Sequence, residues 1–110
     1  MKEQRQHQRG ELITEAMIAD SAGTDWSAVS LLDISISGAS FKTTERIIVD
    51  TIRMFNITLH NSPKPVLASA KIVNRLSHAD GFRVGIRFVK IDPHEVELIN
   101  QYVQSQAAMP

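Results

Sequence analysis

Residues 82–89 read FRVGIRFV. Phe82, Val84, Ile86 and Phe88 point to one side of an extended chain, and Arg83, Gly85, Arg87 and Val89 to the other. This period of two marks a strand with one buried face. Working outward, SHADG (77–81) reads as a hairpin loop. The stretch before it, VLASAKIVNRL (66–76), is a long partner strand. IRMFNITLH (52–60) sets Phe55, Ile57 and Leu59 on one face, again a strand. NSPKP (61–65) cannot continue a ladder, because two prolines lack the donor. Nearer the start, ELITEAMIAD (11–20) leans towards strand through Ile13 and Thr14, and DSAGTD is a turn cluster. WSAVSLLDIS (26–35) and ASFKT (39–43) are strands separated by the turn SISG. TERIIVDT (44–51) fits a loop or a short helical turn.

Downstream the period changes. In DPHEVELINQYVQSQ, Asp92 suits an N-cap, Pro93 the first helical position, and Glu95 follows three after the cap. Val96, Ile99 and Val103 recur at helical spacing, with Tyr102 alongside. The expected fold is all-β: a six-stranded antiparallel β-barrel with a C-terminal α-helix over 93–106. Short connections favour antiparallel pairing, and closure removes exposed sheet edges. The expected organisation is a flexible N-terminal arm (1–10) followed by one barrel domain (11–106).

Composition narrows the function. The 110 residues suit one domain, and 43% hydrophobic content supports a real core. Twelve basic and 12 acidic residues give no net charge, which argues against a general nucleic-acid binder. Without cysteine there is no disulfide framework and no thiolate metal site. The polar opening MKEQRQHQRG has no apolar signal core. No apolar run nears the roughly 20 residues that span a bilayer, so a cytoplasmic setting is expected. His7, His60, His78 and His94 lie far apart and read as surface residues, so no metal site is expected. No nucleophile elbow or phosphate loop occurs, and no catalytic residue is assigned; the chain does not read as an enzyme.

Two polar clusters remain. Arg5 and Arg9, in RQHQR, share a side of a helix or strand. Guanidinium is the group for phosphate, pairs with the O6 and N7 acceptors of guanine, and stacks on bases. The same residues also fit a solvated polar tail. DISISG (33–38) fits a strand ending in a tight turn, with Gly38 supplying a positive φ. It equally fits a rigid turn that presents Asp33, Ser35 and Ser37 to a ligand, with Gly38 allowing close backbone approach. A carboxylate there can accept from guanine N1–H and N2–H.

The ordered pair RQHQR and DISISG resembles the PilZ domain family, with its Arg-x-x-x-Arg arm and Asp-x-Ser-x-x-Gly turn. The late strand pair, the closing helix and GIRF (85–88) extend the similarity over residues 4 to about 104. The resemblance implies a split-barrel that binds cyclic di-GMP and has no other cofactor. Arg5 and Arg9 would grip phosphates and guanine edges, and Asp33 and Ser35 would contact guanine, with Gly38 completing the turn. Secondary candidates are Gln4, Ser37, Gly85, Arg83 and Arg87. Gln4 stands where the family often has a basic residue, a position tied to how many ligand molecules stack. Arg46, Arg53, Lys71 and Arg75 could also line the site, but each reads more readily as part of a solvated face.

With no room for an output domain, the signal is expected to pass to an unidentified protein effector as ligand orders the arm. The rival reading is a PilZ-fold interaction module that does not bind nucleotide. A third, a barrel for single-stranded nucleic acid, would want a basic groove with stacking aromatics, but the chain has one Trp, one Tyr and four Phe.

Overall fold

The computed structural model describes residues 15–59 and 64–107. Six strands run β1 (Glu15–Ala19), β2 (Trp26–Ile34), β3 (Gly38–Thr43), β4 (Ile52–Thr58), β5 (Val66–His78) and β6 (Gly81–Ile91). They form a closed antiparallel barrel in the order β1-β2-β3-β6-β5-β4, and the helix α1 (Pro93–Ala107) follows. The proposed arm, 1–10, lies outside the described residues.

Alternation builds the interior. Val84 and Ile86 of β6, Phe55 and Ile57 of β4, and Ile18 of β1 are all at most 5% exposed. The rings of Phe41 and Phe55 meet at 5.7 Å between centroids, tilted by 53°. Burying each such side chain is worth about 1.5–3 kcal/mol. The helix adds Ile99 and Tyr102 to the same core. Its start is capped by Asp92, whose Oδ1 accepts from His94 N at 2.9 Å. The Glu95 carboxylate accepts from Leu67 N of β5 at 3.2 Å, which ties the helix to the barrel.

One open reading is settled and three expectations change. Of the two readings of 44–51 the structure has the loop, and it drops Ile47 into the core at 1% exposure. The β5–β6 loop shrinks to Ala79 and Asp80, because His78 pairs with Gly81. Gly38 does not take a positive φ; it is the first residue of β3, and among the described glycines only Gly23 and Gly81 are left-handed. Arg53 and Arg75 are not on a solvated face. Arg53 Nε donates to Ala19 O at 2.6 Å, and Arg75 Nη1 donates to Ile47 O at 2.7 Å while lying 5.7 Å over the Phe82 ring.

Candidate ligand-binding face

The site residues meet on the outer surface of β2, β3, β6 and β5. Asp33 of β2 pairs with Ser40 of β3, Ser40 with Gly85 of β6, and Gly85 with Asn74 of β5. These four make one row across four strands. Its two ends face outward only because of β-bulges. Leu31 pairs with Phe41, yet Asp33 pairs with Ser40, so Leu32 is an extra residue. Were Leu32 paired with Ser40 in regular register instead, Asp33 would stand opposite Ala39 and point into the core, since one step of register exchanges the faces of a strand. On β5, Ile72 pairs with Ile86 and Asn74 with Gly85, so Val73 is extra and turns Asn74 outward.

Two glycines keep the backbone in and beside the row bare. A Cβ on Gly38 would fall on the carbonyl oxygen of Ile86 and within 3.2 Å of Arg87 Cα. Gly38 therefore lets β3 approach β6 closely; close backbone approach, not turn conformation, is its role. A Cβ on Gly85 would lie 2.8 Å from Asn74 Oδ1, so the amide rests over the bare glycine. Ser40 Oγ is buried with no hydrogen-bond partner among the described residues.

The 35–38 turn is pinned from within. Ser35 N donates to Gly38 O at 2.8 Å, and Ser37 N donates to Ser35 Oγ at 3.3 Å. Ser35 Oγ and Ser37 Oγ are 3.1 Å apart. Phe88 N donates to Ser37 O at 2.9 Å and anchors the turn to β6. Ser35 and Ser37 thus stiffen the turn and remain exposed.

Cations border the row on both sides. Lys42 of β3 stands directly opposite Arg83 of β6. Beyond the row, Arg87 pairs with Gly38 on one side and with Lys71 of β5 on the other. Like charges set directly opposite across strands are destabilising. Acids offset them in part. Arg83 Nη2 lies 3.9 Å from Asp33 Oδ2, Lys42 Nζ 3.6 Å from Asp80 Oδ2, and Lys71 Nζ 3.9 Å from Asp50 Oδ1. All three pairs are solvent-exposed, worth at most about 1 kcal/mol each, so the partners exchange easily. Arg87 has no ion pair among the described residues. Beside Lys42, a cleft of about 280 Å³ opens between Ala28, Ser30, Thr44 and Asp80.

The structure therefore brings Asp33, Ser35, Ser37, Gly38, Arg83, Gly85 and Arg87 onto one surface. Arg5, Arg9 and Gln4 lie outside the described residues. The sequence does not mark Asn74, Lys42 or Ser40, because only strand register reveals that they adjoin the others. His78 and His94 are exposed, while His7 and His60 are outside the described residues. Among the described residues no group of three or more His, Cys, Asp or Glu could hold a metal, and no helix is long and apolar enough to cross a membrane.

The PilZ domain family matches residues 3–105. A comparison with curated proteins gave no match. Among solved structures, the Bacillus subtilis inhibitor of motility MotI/DgrA superposes with a TM-score of 0.74 at 10% identity, covering 89% of this chain and 48% of that one. Escherichia coli YcgR, solved in complex with c-di-GMP, gives 0.71 at 10% identity, covering 86% of this chain and 41% of that one. This chain thus spans less than half the length of either. The PilZ domain of YcgR with c-di-GMP gives 0.65 at 11% identity, covering 88% of this chain and 83% of that one.

Proposed function

Since the chain belongs to the PilZ domain family, we propose that it is a receptor for cyclic di-GMP that relays the signal to a protein partner. The observation that carries this reading is the outer face: a small polar row running from Asp33 through Ser40 and Gly85 to Asn74, flanked by Lys42 and Arg83 on one side and Arg87 and Lys71 on the other. A cation-bordered surface with an outward carboxylate suits a ligand made of phosphates and guanines. The complex of the structurally similar YcgR with c-di-GMP supports the choice of ligand.

In this reading Asp33 accepts from guanine N1–H and N2–H. Its exposed pairing with Arg83 is weak enough to be replaced. Arg5 and Arg9 supply the phosphate-gripping forks. The entry point of the chain favours this. Glu15 opens β1 directly opposite Ser30, three residues before Asp33 on the adjacent strand. Arg9 stands six residues earlier in sequence, a reach of about 20 Å when extended. Ligand then clamps residues 5–9 against the 33–38 turn, and the surface offered to the partner changes; such a switch requires ligand to favour the ordered state. Met17 of β1, Trp26 of β2, and Ile52 and Met54 of β4 are large exposed apolar side chains that a protein effector can cover.

Calorimetric titration with cyclic di-GMP tests the receptor, beside the Arg5→Ala/Arg9→Ala double variant. Binding lost in a folded variant is expected. A folded wild type that takes up no ligand refutes the proposal and leaves the interaction-module reading. The relay has its own test: amide exchange of residues 1–12 should slow at saturating ligand, and equal rates with and without it would refute arm ordering.

A further inference from the structure

From the geometry of the row, we infer that Asn74 is a second ligand-contacting residue, placed at the opposite end of the face from Asp33. This rests on the receptor reading above. Three observations converge on it. The Val73 bulge turns Asn74 from the core to the surface, as the Leu32 bulge does for Asp33. Bulges commonly re-aim a side chain beside a functional site. The position opposite Asn74 is Gly85, where a Cβ would meet both amide atoms, at 2.8 Å to Oδ1 and 3.1 Å to Nδ2. The amide therefore lies against the sheet and presents its donor and acceptor sideways to whatever covers the row. Asn74 is itself exposed, so nothing in the described fold needs an amide there.

The chemistry follows from the amide's two edges. Its oxygen accepts from guanine N1–H while its NH₂ donates to O6, or it donates to a phosphate oxygen or ribose hydroxyl. Asp33 and Asn74 are three strand spacings apart, no more than about 14 Å between Cα atoms. The two side chains thus engage different parts of a two-base ligand: the carboxylate holds one end and the amide the other.

The test is a calorimetric cycle with cyclic di-GMP on wild type, Asn74→Ala, Gly85→Ala and the double variant, with a thermal melt of each. Removing the amide should weaken binding about tenfold, as one ligand hydrogen bond would. Gly85→Ala should weaken it comparably by pushing the amide aside, and the double variant should lose no more than Asn74→Ala alone. Melting midpoints should stay near wild type, because an exposed flexible amide yields to an added methyl cheaply. A wild type that binds no ligand overturns the receptor reading and this inference together. A wild type that binds, with Asn74→Ala equal to it, overturns only the role of Asn74. Additive losses in the double variant overturn the claim that Gly85 makes room for the amide.

Discussion

Gly38 and Asp20 show how single residues fix the backbone around the face. Replacing Gly38 with alanine puts a methyl group on the Ile86 carbonyl, and neither backbone can yield without opening the β3–β6 ladder. The expected loss is about 1–3 kcal/mol, typical of overpacking, read as a lower midpoint in denaturant unfolding. Asp20 acts by charge. It sits in the β1–β2 turn, where Thr24 N donates to its Oδ1 at 2.9 Å. That hydrogen bond, with others from the turn, holds its carboxyl below the ordinary value of 3.8. A depressed folded pKa contributes stability that is present above the unfolded value and lost as pH falls through the folded one. Acid titration followed by NMR should therefore show Asp20 protonating below the ordinary aspartate range. The Asp20→Asn variant should lose only the part of the acid sensitivity that lies below about pH 4. A Asp20 that titrates at the ordinary value would remove the turn from the account of acid unfolding.

At the scale of the element, the two bulges decide what the strands present. Deleting Leu32 should remove the bulge and restore simple alternation in β2, with Asp33 following Leu31 and still facing outward opposite Ser40. The carboxylate keeps its face but loses the local twist of the bulge, so the folded variant should bind ligand more weakly than wild type without losing binding. A folded deletion variant with wild-type binding would show that the twist of the bulge does not position the carboxylate. The bulges also mark the limit of what the sequence discloses. The alternation of Phe82 to Phe88 and of Phe55 to Leu59 is written in the side chains, and both strands fold as read. Leu31–Asp33 and Ile72–Asn74 carry no mark of an inserted residue, because the shift exists only relative to a partner strand. Arg75 misleads for a related reason. Its charge suggests solvent, yet its guanidinium lies over the Phe82 ring and donates to the Ile47 carbonyl. The 33–38 turn is recognisable from its serines and glycine, but the reason for Gly38 is not, since the carbonyl it makes room for lies 48 residues away.

For the whole molecule, charge is balanced in total and unbalanced in space. Equal numbers of acids and bases hide a surface where Lys42 faces Arg83 and Arg87 faces Lys71. The free barrel bears the cost of that crowding, and a bound anion relieves it. Raising salt should therefore have opposite effects on the two properties: a higher melting temperature for the free protein and weaker cyclic di-GMP binding. Arg87→Thr should reproduce both effects at constant low salt, because it removes the cation with no described acidic partner. A variant that melts lower than wild type would show that the face is not electrostatically strained.

The ring of six strands has a last consequence, for how another protein can attach. Each strand hydrogen-bonds to a neighbour on both sides over part of its length, but the ends of two strands, Leu31–Ile34 of β2 and Asn74–His78 of β5, have a described strand partner on one side only. A partner strand can zip onto such short ends and not along a whole strand. Elsewhere a partner has to read side chains displayed on a convex wall, where one altered residue changes a single contact and leaves the ladder beneath it intact.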